Sequence, residues 1–197
     1  VMSSVQDQEG RIKTMTRQSI RISSYIIWPM MIGLAVCSKP LIALLLTDKW
    51  LPCVPYLRVF CMIYAFHPIH TANLNAIKAM GRSDLFLKLE IAKKIVGMTL
   101  LLSTMWFGVM AMAYSLLVSS VTSQLINSWP NRKLLNYRYW DQLKDILPSI
   151  AIAIFMGCCV NLVDLLHLSN AATLLIQIPM GAVIYIGASA ALHLESY

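Results

Sequence analysis

The sequence predicts an all-α, polytopic membrane protein, a bundle of six transmembrane helices. Three observations predict it. Hydrophobic residues make up 58% of the 197 positions and charged residues only 13%, too little polar surface for a water-soluble domain and too much apolar residue for a disordered chain. The apolar residues fall in blocks, several of which approach the roughly 20 residues that a helix needs to cross about 30 Å of hydrocarbon. Alternating ten-residue segments, the mark of barrel strands, are absent, and backbone groups in hydrocarbon have no other way to be satisfied than a helix.

The six predicted spans are A (20–46), B (55–79), C (86–104), D (108–129), E (145–164) and F (171–193). Span A is longer than one crossing requires. Lys39 and Pro40 mark where it reaches the far interface and bends, which leaves LIALLLT partly along that surface. Pro148 falls near the start of E, where a missing N–H costs little, whereas Pro68 and Pro179 predict kinks within B and F. Small residues in F, among them Gly181, Ala182, Gly187 and Ala188, predict close helix–helix contact. The chain opens at Val1 on a polar, charged stretch with no signal peptide, and we expect it to start inside a longer protein.

Basic residues give the orientation. Thirteen of the sixteen lysines and arginines lie before A, around the B–C turn or between D and E. The positive-inside rule therefore puts these three regions, and with them the C-terminal HLESY, in the cytoplasm. The net charge of +7 is mainly this topology signal, with some affinity for anionic head groups. A nucleic-acid partner is excluded, because no soluble module carries a basic face. Trp50 and Tyr56, Trp106, and the group Trp129, Tyr137, Tyr139 and Trp140 stand at span ends, where amphipathic rings suit head-group depth. The D–E segment NRKLLNYRYWDQLKD reads as an interfacial amphipathic stretch.

Polar residues within the spans carry the functional signal, since there they are costly unless they meet partners or water. Span B holds Arg58, His67, His70, Asn73 and Asn75. Arg58, near the outer mouth, is either a snorkelling guanidinium or a cation that meets a phosphate or sugar acid. His67, His70, Leu74 and Ile77 share a face at three- and four-residue steps. The histidines either bond around the Pro68 kink or line a cavity; two ligands without a third make a poor metal site, and no metal is expected. In C, Glu90 and Lys94 have the i, i+4 spacing of an ion pair, with Lys93 or Lys94 facing a cavity as the alternative. Ser115, Ser119, Thr122, Ser123, Gln124 and Asn127 make D locally polar and suit interhelical hydrogen bonds, as does Gln177 in F. No phosphate-cradling loop, paired acidic motif or nucleophile–base spacing is present, so neither catalysis nor a cofactor is expected. The five cysteines show no disulfide or zinc spacing.

The runs SSVQDQEGRIK, WPMMIGLAVCSKPLIALLLTDKWLPCVPYLRVFC and HTANLNAIKAMGRSDLFLKLEIAKKI resemble the bacterial polysaccharide transporter family. These are flippases for lipopolysaccharide O-antigen and exopolysaccharide repeat units, within the multidrug/oligosaccharidyl-lipid/polysaccharide export superfamily. The resemblance covers roughly the first half of the chain. It implies a longer protein of fourteen crossings in two lobes, with A to F as the ninth to fourteenth. Residues 1–19 would then be a cytoplasmic basic segment, 20–143 part of the C-terminal lobe, and 144–197 two additional C-terminal helices. It further implies residence in the bacterial inner membrane and alternating access for an undecaprenyl-pyrophosphate-linked oligosaccharide. Membrane lipids would be further partners, with polysaccharide polymerase and export machinery as candidates. No short motif of the family assigns site residues. Arg58, His67, His70, Asn73, Lys93 and Lys94 are chosen from chemistry and depth, Arg58 and Lys94 for anionic groups, His70 and Asn73 for the route. A drug/cation antiporter of the same superfamily, which needs an embedded carboxylate (Asp164 or Glu90), and a non-transporting assembly subunit remain as rival readings.

Overall fold

The computed structural model describes the backbone of residues 2–166 and 168–192, and their side chains except at 2–9 and 133. Residues 193–197, the predicted cytoplasmic C-terminus, lie outside the described residues. The described chain folds as eight α-helices and three short 3-10 turns, without a strand. In order they are α1 (Met2–Val36), α2 (Ser38–Leu46), α3 (Val54–Ala65), α4 (His67–Ala79), α5 (Ser83–Thr104), α6 (Val109–Leu134), α7 (Tyr139–Asn161) and α8 (Asn170–Ala191).

The distribution of side chains is that of a membrane protein. Among the largest fully buried side chains are Asn73, Gln124, Asn127, Asn131, Gln142 and Gln177, while Leu175, Ile178, Val183 and Ile186 of α8 are 62–75% exposed. Water would favour the reverse, whereas hydrocarbon makes an exposed leucine free and an exposed amide costly. Four stretches are long and apolar enough to cross a membrane: Gly10–Val36, Val109–Arg132, Tyr139–Leu166 and Asn170–Ala191.

That number differs from the six predicted spans for two local reasons. Span B is two helices, α3 and α4, broken at Phe66 immediately before His67-Pro68. Pro68 brings no N–H to the ladder, so the helix restarts there instead of kinking. Span C is α5, 22 residues long, but Asp84, Lys88, Glu90, Lys93 and Lys94 leave its apolar run short.

Other boundaries also move. The basic N-terminal stretch is helical and continuous with span A. The bend falls at Cys37, and α2 follows, its Leu44, Leu45 and Leu46 at least half exposed. The interfacial stretch expected between D and E shrinks to residues 135–138, because α6 runs on to Leu134 and α7 begins at Tyr139. Pro148 therefore lies inside α7, and Pro179 inside an α8 that continues through it. The α4–α5 turn closes as a Schellman motif. Arg82 N donates to Ile77 O, Gly81 N to Lys78 O, and Gly81 takes the left-handed conformation at φ 69° that its missing Cβ permits.

The chain forms two compact units, Val1–Ser24 with Phe66–Ile146 and Tyr25–Ala65 with Leu147–Tyr197. In the first, α6 packs on α5 and α4, and a Cβ at Gly97 would come within 3.2 Å of Ser119 Oγ. In the second, α2 packs on α8 and α3. There Gly181 of α8 sits against Val160 and Met156 of α7, and Tyr185 donates to Tyr25 O at 2.8 Å. The close contact expected of the small residues in F thus falls at Gly181, while Gly187 faces open space.

Gly157 is the tightest of these approaches. A Cβ there would stand 2.6 Å from Ile32 Cγ2, a branch that the one strongly preferred χ1 rotamer of a helical isoleucine holds in place. Gly157→Val should lower stability by about 2 kcal/mol through overpacking, read as a lower unfolding midpoint in detergent; an unchanged midpoint would mean that α1 and α7 separate freely there.

Candidate functional site

Unit 1 is built around an amide cluster centred on Asn73 of α4, which is fully buried. Asn73 Nδ2 donates to Gln142 Oε1 (2.7 Å), Gln142 Nε2 returns a bond to Asn73 Oδ1 (3.1 Å), and Asn131 Nδ2 donates to the same oxygen (2.6 Å). Asn73 Nδ2 also reaches Ile69 O at 2.8 Å and Ser128 Oγ at 3.2 Å. Side chains from α4, α6 and α7 thereby bond to one another, with Asn131 Oδ1 buried and left without a partner among the described residues, and these bonds tie the register of three helices. Asn73 thus stands inside the packing, with its amide engaged on both sides.

One turn earlier on α4, His70 is half-buried, with its Nδ1 2.9 Å from Asn127 Nδ2 of α6. With the proton on Nε2, the asparagine amide is the donor. Asn127 Oδ1 is buried with no hydrogen-bond partner among the described residues. His67 is exposed, its ring centroid 5.9 Å from that of His70. Lys93 of α5 is buried, 8% exposed, and lies within electrostatic range of His70. It pairs with Glu90, so the ion pair forms at i, i+3 and not with Lys94 as the sequence spacing suggests. Lys94 is exposed. His67, His70, Asn73 and Lys93 therefore belong to one unit, and His67, His70 and Lys93 to one polar patch beside the amide cluster.

Arg58 belongs to the other unit. Its Nε donates to Ala35 O (3.2 Å) and Ser38 Oγ (3.1 Å), while Ser38 Oγ donates to Ala35 O. These bonds add to a carbonyl in the last turn of α1, where the chain bends into α2. Arg58 is exposed.

A second polar cluster was not visible in the sequence. Asp145 of α7, whose side chain is 4% exposed, receives Arg17 in a two-pronged bond (Nε to Oδ2 and Nη2 to Oδ1, both 2.7 Å) and Arg21 Nη2 at 2.6 Å. Tyr137 completes it, donating to Oδ2 at 2.8 Å. Burial, and after it the bond to Asp145, hold the Tyr137 phenol far above its ordinary range, so it stays a neutral donor. Lys13 Nζ donates to Asn136 O nearby. Lys13, Arg17 and Arg21 stand at four-residue steps along one face of α1. That spacing is legible, but their partners are more than 120 residues away.

A helical chain with amides buried, leucines exposed and four membrane-length apolar stretches is a multi-helix membrane protein. Comparison with known proteins adds the biological class. A family described as polysaccharide biosynthesis protein matches residues 1–55. The chain is 25% identical over 127 residues, 64% of its length, to an uncharacterized membrane protein in the cps region of Klebsiella pneumoniae. It is 24% identical over 171 residues, 84% of its length, to the teichuronic acid biosynthesis protein TuaB of Bacillus subtilis (strain 168). The chain spans 26% of the first relative and 35% of the second. No solved structure matches. The resemblance read from the sequence thus stands, and the chain is similar to membrane proteins of polysaccharide biosynthesis.

Proposed function

We propose that this protein takes part in flipping undecaprenyl-pyrophosphate-linked oligosaccharide repeat units across the bacterial inner membrane, by alternating access and without catalysis. The observation that carries the reading is the polar patch at the start of α4. The helix begins afresh at His67-Pro68, and a buried ammonium, Lys93, stands near His70. Interrupted helices whose first turns face a polar region are a recurrent way to meet an anionic group at depth, because the positive end of the helix dipole adds to the cation. In this reading Lys93, His67 and His70 meet the charged or sugar part of the substrate. Arg58 braces the α1–α2 bend through Nε and keeps its two other nitrogens for an anion, and Lys94 is a peripheral attraction. Asn73 holds the helices that carry the patch.

The antiporter reading needs a carboxylate available to a cation. Asp145 is held by Arg17, Arg21 and Tyr137, and Asp164 accepts from Gln177 at 2.9 Å, which supports the flippase; the Glu90–Lys93 pair opens in this reading to give Lys93 to the anion.

The test is complementation of a polysaccharide-producing strain that lacks its own copy. Lys93→Gln and Arg58→Gln should each lower export at least tenfold while the amount of protein in the membrane stays unchanged. Parallel loss of abundance and export would make both residues structural, and unchanged export would remove them from the route.

A further inference from the structure

At the corner where α6 gives way to α7, unit 1 holds a cleft of about 420 Å³ that borders the amide cluster at Ser128 and is lined by none of the His70 patch. Leu125, Trp129 and Arg132 of α6 line one side, and Arg138, Tyr139 and Trp140 line the other. Trp129 and Trp140 are 66% and 72% exposed. Leu125, Trp129 and Arg132 are spaced i, i+4, i+7 and so follow one face. Along about 10 Å of helix axis that face passes from aliphatic to indole to guanidinium. This is the order in which a lipid presents acyl chain, interface and phosphate.

Among the described residues the charges in the cleft have no ion-pair partner. Arg17, Arg21, Arg82 and Lys93 form ion pairs, but among the described residues the side chains of Arg132 and Arg138 form none. Asp141, the nearby carboxylate, accepts from the backbone N–H of Arg138 at 3.2 Å. Tyr139 is held in place by its bond to Gln124 Oε1 at 3.2 Å. The walls are thus fixed from inside while the two guanidinium groups are left to a ligand.

We propose that this cleft binds an anionic glycerophospholipid of the adjacent leaflet, its phosphate between Arg132 and Arg138 and an acyl chain along Leu125 and Trp129. Basic pockets between membrane helices recognise lipid phosphates in this way. A lipid seated there would hold the α6–α7 corner at a defined depth. The proposal requires a membrane location but not the saccharide reading.

The test reconstitutes the protein with phosphatidylglycerol or phosphatidylcholine carrying brominated acyl chains and reads quenching of tryptophan fluorescence. The part due to Trp129 and Trp140 is isolated by comparison with the W129F/W140F protein. Brominated phosphatidylglycerol should quench preferentially, and R132Q/R138Q should weaken that preference by about fivefold for each arginine removed. R11Q/K88Q, which removes two exposed charges elsewhere in unit 1, should keep it. Equal quenching by the two lipids would overturn the proposal. So would equal loss in R11Q/K88Q, which would mean diffuse surface charge, or displacement of the phospholipid by an equal fraction of undecaprenyl phosphate, which would make the cleft a substrate site.

Discussion

Asn73→Leu should destabilise the protein by about 3 kcal/mol or more and sharply reduce its abundance in the membrane. The substitution removes one amide but strands several groups. Gln142 loses both bonds of its reciprocal pair with Asn73 and keeps only the longer ones to Ser128 and Tyr137 O, Asn131 loses the oxygen it approaches at 2.6 Å, and Ser128 loses a donor. A buried polar group left unpaired costs about 1–3 kcal/mol, and the compact helix packing admits little water to replace the missing bonds. Asn73→Asp, which keeps the acceptor but loses the donor to Gln142, should fall between. The measurement is the unfolding midpoint in detergent together with membrane abundance. A midpoint unchanged in Asn73→Leu, with export alone lost, would instead return Asn73 to the transport route.

Asp145→Asn should give the next largest loss, about 2 kcal/mol, with a cause that a double substitution can expose. Removing one member of a buried ion pair leaves the other uncompensated, at about 3–5 kcal/mol for full burial. Here the carboxylate is buried but the Arg17 and Arg21 side chains are 50% and 38% exposed, so water recovers part of the loss. Arg17→Gln in the Asp145→Asn background should then cost far less than Arg17→Gln alone. Strictly additive losses in the unfolding midpoint would show that the two residues do not act together.

Much of this architecture is readable without a structure, because the bilayer imposes so strong a rule. A block such as IPMGAVIYIGASAAL has few alternatives in hydrocarbon to a helix, and α8 forms where the block lies. The polar character of B and D is equally plain from composition.

Tertiary structure alone decided which polar residue meets which. Asn73 and Gln142 lie 69 positions apart, and nothing in the spacing of either distinguishes a residue that faces a substrate from one that faces an amide. Lys93 rather than Lys94 takes Glu90 because of which side of α5 is covered, a property of the packing and not of the i, i+4 rule. Arg17 and Arg21 read as topology charges until α7 brings Asp145 to them. In hydrocarbon a polar side chain must have a partner, and sequence states that need; only the assembled helices determine the partner, since hydrogen bonds act over about 3 Å between residues that the chain separates by more than a hundred positions.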